Sequence, residues 1–287
     1  MSIYDIISNQ NFSFNKEAWA AQKQAQRKEA YEIIDNTCAE MATNGDSFRQ
    51  YLDMQGRFDR YSVANAILVS AQMPEATQLR DYGKWKENRI YVNKGAEKIT
   101  ILEPGKEYTR KDGTTATSFN AKDVYDISQT SSKVKTTNTK PIPMRELLSA
   151  LVEASPVKIK TDDKLETAAY YDCSKQTIFV KTGLNEHQLI AGTTKEVAAA
   201  IYDDKYKMKR EDTDFKSYCV AYMLCSKYNV ETKGFSFDKL PPEINELEPK
   251  DLRSELNSMR DVLGEINDII YKSIEKYKPA KSQEQER

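Results

Sequence analysis

Tyr61-Ser62-Val63-Ala64-Asn65-Ala66-Ile67-Leu68, continued to Gln72-Met73-Pro74, opens the part of the chain that decides its architecture. Residues 62–72 are apolar almost all round and stop before Pro74, so they predict a helix sunk in a core. After Trp85 the character changes. Arg89-Ile90-Tyr91-Val92-Asn93-Lys94-Gly95 and Lys98-Ile99-Thr100-Ile101-Leu102-Glu103-Pro104 carry β-branched and aromatic runs bounded by Gly95 and Pro104-Gly105. They predict two strands. Lys111-Asp112-Gly113 predicts a hairpin turn, and residues 118–127, ending in Val124-Tyr125-Asp126-Ile127, predict the strand that returns. Upstream, residues 16–43 are rich in Ala, Gln, Glu and Lys, with Tyr31, Ile34, Cys38 and Met41 recurring at the spacing of one helical face. Asn44-Gly45 reads as a left-handed C-terminal cap, with a second helix over 47–52. The first part of the chain is expected to be helices packed on a small antiparallel sheet.

The chain has 287 residues, enough for two domains of ordinary size, each with its own core. Residues 128–143 are Ser, Thr, Lys, Asn and Pro with little apolar content, which suits a linker. The expected division is a first domain over 1–130, a linker over 131–143, a second domain over 144–277 and a disordered polar tail over 278–287. In the second domain the patterns predict a helix at 144–154 and strands at 157–160, 168–171 and 177–180. Helices at 186–202, 214–228 and 249–277 follow, giving an α+β fold class for the whole chain.

Composition narrows the function. Charged residues are 30% of the chain but the formal net charge is −1, so any affinity for nucleic acid must come from a local patch. Cys38, Cys173, Cys219 and Cys225 form no CxxC pair, and the N-terminus lacks the charged start and apolar core of a signal peptide. No stretch has the roughly 18 apolar residues that spanning a bilayer requires. A cytoplasmic protein without membrane contact is expected. No Gly-rich phosphate loop, nucleophile elbow or Ser-His pair is present.

The local patch lies between Arg80 and Lys111, where nine Lys or Arg stand against five acids, interleaved with Tyr82, Trp85, Tyr91 and Tyr108. Single strands are held by cations that follow phosphates and by rings on which bases stack. Lys84, Arg89, Lys94 and Lys98 are the candidate phosphate contacts, and Trp85 is either a stacking platform or a core residue, with residue type weighing towards the core. Tyr61 and Asn65 lie one helical turn apart and share a face that is either a binding edge or an N-terminal capping arrangement.

The order of these runs resembles the N-terminal domain of ArdC-type antirestriction proteins and their LtrC-like relatives on mobile elements. The resemblance implies a single-stranded DNA-binding module followed by a zincin-like metallopeptidase module. Where that family carries His-Glu-x-x-His, this chain reads Lys195-Glu196-Val197-Ala198-Ala199, and the glutamate ligand before the Val-Ala-Tyr run falls on Tyr218, ahead of Val220-Ala221-Tyr222. Only the general-base position, Glu196, matches. The likeness extends through Tyr222-Met223-Leu224-Cys225 and Gly234-Phe235-Ser236-Phe237. Lys195 and Glu196 then read as helix-surface charges, Ala199 offers no donor, and His187 stands eight residues before the first ligand position. Cys219 and Cys225 are too far round the helix from one another to rebuild a site. The expectation is no catalytic residue, no metal and no cofactor. The implied function is binding single-stranded DNA for a plasmid, conjugative transposon or phage, in antirestriction or DNA transfer. An adaptor that holds a protein partner in the old peptidase cleft is the alternative.

Overall fold

The computed structural model describes residues 16–134 and 142–277, and the expectations placed on 1–15, on 135–141 of the linker and on the tail 278–287 lie outside them. Helix α1 (Lys16–Thr43) buries Ala30, Ile34, Cys38, Met41 and Ala42. Tyr31, expected on that stripe, is 41% exposed, because the buried stripe runs through Ala30 and leaves its neighbour on the next face. Asn44 does not end α1 in a left-handed turn. Its backbone is extended at φ −126°, and its Oδ1 accepts the N–H groups of Asp46 at 3.0 Å and Ser47 at 3.2 Å, capping helix α2 (Gly45–Arg57). Gly45 is required by a close approach, since a Cβ there would lie 1.8 Å from the Phe237 carbonyl oxygen. Helix α3 (Val63–Gln72) follows, with Ser62 Oγ accepting the Asn65 N–H.

The first sheet has the order β1-β3-β2, with β1 (Leu79–Arg80), β2 (Ile99–Thr109) and β3 (Thr115–Asp126) all antiparallel. Ile99 faces Val124 and Tyr108 faces Ala116, with a bulge between Pro104 and Glu107. The short helix α4 (Tyr82–Glu87) sits between β1 and β2. The strand expected at 90–92 does not form. Arg89 takes a left-handed conformation at φ 58°, which turns the chain, and Val92 then makes only a single bridge to Thr130.

The second part opens with α5 (Met144–Ala154) and the sheet β4-β6-β5, in which β4 (Lys158–Thr161) runs parallel to β6 (Thr177–Val180) and β5 (Ala169–Asp172) antiparallel. Helices α6 (Glu186–Tyr206), α7 (Asp214–Lys227), the one-turn α8 (Pro242–Asn245) and α9 (Pro249–Tyr277) complete an α+β fold. One cluster of buried apolar side chains includes residues from both parts of the chain. Helix α2 packs directly on α7: a Cβ on Gly56 would meet the Met223 carbonyl oxygen at 2.8 Å, and the Phe48 ring lies 5.9 Å from those of Phe215 and Phe237. Helix α9 spans α1, α3, α5 and α7. No helix among the described residues is long and apolar enough to cross a membrane.

The cysteines give a direct test of this packing. Cys38, Cys219 and Cys225 are buried, and burial pushes the thiols of Cys38 and Cys225 up to about 11 and about 12, while Cys173 is exposed. Thiolate is the reactive form. Iodoacetamide at neutral pH should therefore label Cys173 alone in the folded chain and all four after denaturation, as read by mass spectrometry. Labelling of Cys38 or Cys225 as fast as Cys173 would contradict the packing.

Candidate functional site

In the N-terminal part, the sequence candidates separate into residues that hold the sheet and residues that face solvent. Trp85 is 1% exposed. Its Nε1 donates to the Tyr125 carbonyl at 2.9 Å and the Arg80 guanidinium lies 5.2 Å from its ring, so it anchors α4 on β3 and presents no face to a base. Of the two alternatives the sequence leaves for Trp85, it takes the core position. Tyr61 is half-buried against Phe58, ring centroids 5.0 Å apart. The Asn65 N–H belongs to the Ser62 cap of α3, and its side chain is turned to the sheet. Its amide accepts the Leu102 N–H and donates to the Leu102 carbonyl, both at 2.8 Å. Gln72, two turns along the same face, does the same to Thr100 at 2.9 Å. Because β2 is an edge strand, these two amides stand where a neighbouring strand would and satisfy its outward backbone groups. Lys84, Arg89, Lys94 and Lys98 are exposed, as are Tyr82 and Tyr91, and Lys98 pairs with Asp123 at 3.2 Å.

A constellation that the sequence reading passed over lies on α1. Trp19 and Tyr31 are exposed, Lys23 and Arg27 lie between them at four-residue spacing, and exposed Phe119 of β3 stands opposite. The recurrence at every fourth residue was the available signal.

In the C-terminal part, Glu196 is 2% exposed and is not a surface charge. Its Oε2 accepts the Tyr171 N–H at 2.7 Å and Arg210 Nη1 at 2.7 Å, while Oε1 accepts Arg210 Nη2 at 3.0 Å. Arg210 Nη1 also donates to the Tyr171 carbonyl at 3.4 Å, and the guanidinium lies 4.9 Å from the Tyr170 ring. Tyr171 is on β5, an edge strand. The ion pair, buried on its Glu196 side, therefore closes that edge with one acceptor and one donor, as Asn65 does for β2.

Around this pair the other positions of the motif are also committed. Lys195 Nζ pairs with Asp214 at 2.8 Å, and Ala199 is buried. Tyr218 Oη accepts the Ser236 N–H at 2.7 Å, and its ring packs 4.9 Å from Phe235. Burial raises the Tyr218 hydroxyl above the ordinary tyrosine range. A cavity of about 530 Å³ is lined by Lys195, Tyr218, Phe235, Gly192 and His187. The sequence spacing that set His187 apart is corrected by the loop at 231–234, because His187 Nδ1 accepts the Glu231 N–H at 3.0 Å and borders the same cavity.

No family model and no curated protein matches this chain. Among solved structures, the metal-free crystal structure of the antirestriction protein ArdC from plasmid R388 superposes with a TM-score of 0.53 at 14% identity, over 74% of this chain and 86% of that one. The Mn(II)-bound structure of the same protein superposes with a TM-score of 0.53 at 13% identity, over 87% of this chain and 99% of that one. The residues that stand here at the motif positions do not fit a metal. An ammonium at Lys195, a methyl at Ala199 and a hydrogen-bonded phenol at Tyr218 supply no anionic or imidazole donor, and the Glu196 carboxylate is taken up by Arg210 and the Tyr171 N–H. Among the described residues, no group of three His, Cys, Asp or Glu side chains is arranged to hold one. The likeness is one of architecture, and the chain has an ArdC-type fold.

Proposed function

We propose that this chain is a cytoplasmic single-stranded DNA-binding protein of a plasmid, conjugative transposon or phage, with a role in antirestriction or DNA transfer. Its peptidase-like segment performs no chemistry. The observation that carries this reading is the ArdC-type fold, found over 99% of the length of a plasmid antirestriction protein. Two further features support it. The N-terminal segment keeps Lys84, Arg89 and Lys94 at the surface and leaves exposed rings at Tyr82, Tyr91, Tyr108 and Phe119. The donor set at Lys195, Ala199 and Tyr218 supports the non-catalytic part, since Glu196 without a metal-bound water has nothing to activate.

The test is fluorescence anisotropy of labelled single-stranded and duplex oligonucleotides across a salt series. Single strands are expected to bind in preference to duplex, with log K falling by about 0.7 per decade of salt for each phosphate neutralised. Absence of binding to either form at low salt overturns the proposal.

A further inference from the structure

We infer that the single strand runs along the groove between α1 and the β2–β3 hairpin, with bases on Trp19, Tyr31, Tyr108 and Phe119 and phosphates on Lys23, Arg27 and Lys106. The assignment rests on the single-stranded DNA reading above and places it on a surface. Trp19, Lys23, Arg27 and Tyr31 succeed one another every four residues, which sets ring, cation, cation and ring in one ridge about 18 Å long at the helical rise of about 1.5 Å per residue. Two adjoining cavities of about 510 and 640 Å³ lie between that ridge and the hairpin, and they share Arg27 and Phe119. Lys106 and Tyr108 line the second of them.

The rings are out of place for a surface with no partner. Trp19 is 50%, Tyr31 41%, Tyr108 51% and Phe119 39% exposed, and these are four of the ten large apolar side chains that the described residues leave exposed. Single exposed rings are ordinary, but several gathered on one groove mark a binding surface. Charge decides what kind. Lys23, Arg27 and Lys106 take part in none of the ion pairs among the described residues; of the two acids lining the cavities, Glu103 is paired with Lys122 at 3.0 Å, which leaves Glu107. The Lys23 ammonium donates to Gln26 Oε1 on its own helix at 3.1 Å and to the Ala121 carbonyl of β3 at 3.5 Å. Cations set among flat π faces fit a polyanion that carries its own rings. Those rings are available in a single strand and stacked away in a duplex.

Anisotropy with the full chain and a labelled oligothymidylate tests the assignment. Trp19→Ala combined with Phe119→Ala should weaken binding at least about tenfold, in keeping with the loss of stacked bases, while Trp19→Phe with Phe119→Tyr keeps the affinity. Arg27→Ala with Lys106→Ala should reduce the salt slope by about 1.4, the value for two lost phosphate contacts. Trp19, Lys106 and Phe119 are exposed and Arg27 is half-buried, so circular dichroism should show a melting transition close to that of the wild type. Should a variant fail to fold, ultraviolet crosslinking of the wild-type chain to a bromodeoxyuridine oligonucleotide is decisive: adducts on Trp19, Tyr31, Tyr108 or Phe119 support the groove, and adducts confined to 82–98 overturn it. Groove variants that bind as wild type, with Lys84→Ala plus Lys94→Ala losing affinity, overturn the groove and leave the DNA reading standing. A wild-type chain that binds no single strand overturns both.

Discussion

Arg210→Met should lower the stability of the folded chain by about 3–5 kcal/mol, the usual cost of leaving one member of a buried ion pair without its partner. The Glu196 side chain, 3% exposed, would keep the Tyr171 N–H as its one remaining donor in place of three. At about 2–4 °C per kcal/mol for a chain of this order of size, the melting midpoint should fall by roughly 10 °C. Glu196→Gln should cost less, because the amide still accepts the Tyr171 N–H and the Arg210 side chain, 34% exposed, can turn to water. Urea denaturation of the three proteins reads the effect, and an Arg210→Met chain no less stable than Glu196→Gln would show that the charge on Glu196 is not what Arg210 compensates.

The same pair shows where sequence reading stops. Helix α5 and strand β6 fall on the residues expected for them, since an amphipathic stripe and a β-branched run are local signals. The role of Glu196 depends on Arg210, fourteen positions on, and on a strand N–H twenty-five positions back, and no periodicity encodes either partner. A carboxylate in a helix with a lysine before it reads as surface charge until the fold brings β5 beneath it. Asn65 and Gln72 are alike in this. Their seven-residue spacing puts them on one helical face, but only the sheet order reveals that this face meets an unpaired strand edge. Asn44-Gly45 misled for a different reason. Asn and Gly serve both helix ends, and here Asn44 caps the helix that follows while Gly45 makes room for Phe237. For the candidate site, residue types pointed to cations and rings between Arg80 and Lys111. The ridge on α1 was missed because its helix was read for its buried stripe alone.

Asp59→Ala should be as damaging as the loss of Arg210, and a second substitution should relieve it. Asp59 Oδ1 pairs with Lys227 Nζ at 3.1 Å, with the two side chains 7% and 6% exposed. Its Oδ2 accepts from Asn267 at 3.1 Å and from Tyr271 Oη at 2.8 Å, and Tyr228 Oη donates on to Asn267 at 2.9 Å. Burial first, and then the Asp59 charge, keep the Tyr271 hydroxyl above the ordinary tyrosine range, so it remains a donor at neutral pH. Removing the carboxylate leaves a buried ammonium beside unfilled donors, at a cost of about 3–5 kcal/mol. A buried pair contributes little beyond an apolar substitute, so Asp59→Ala with Lys227→Met should recover most of the loss, giving a coupling of at least about 2 kcal/mol in a double-mutant cycle. The location makes this more than a local repair. Asp59 follows α2, Lys227 ends α7, and Asn267 and Tyr271 are on α9, so the network joins the N-terminal part, which carries the proposed DNA groove, to helices α7 and α9. With one core running through both, wild-type urea unfolding should be a single transition by fluorescence and by circular dichroism alike. In Asp59→Ala the midpoints of the two probes should move together. Two separated transitions in the wild-type chain would mean that the halves fold as independent units and that this network does not couple them.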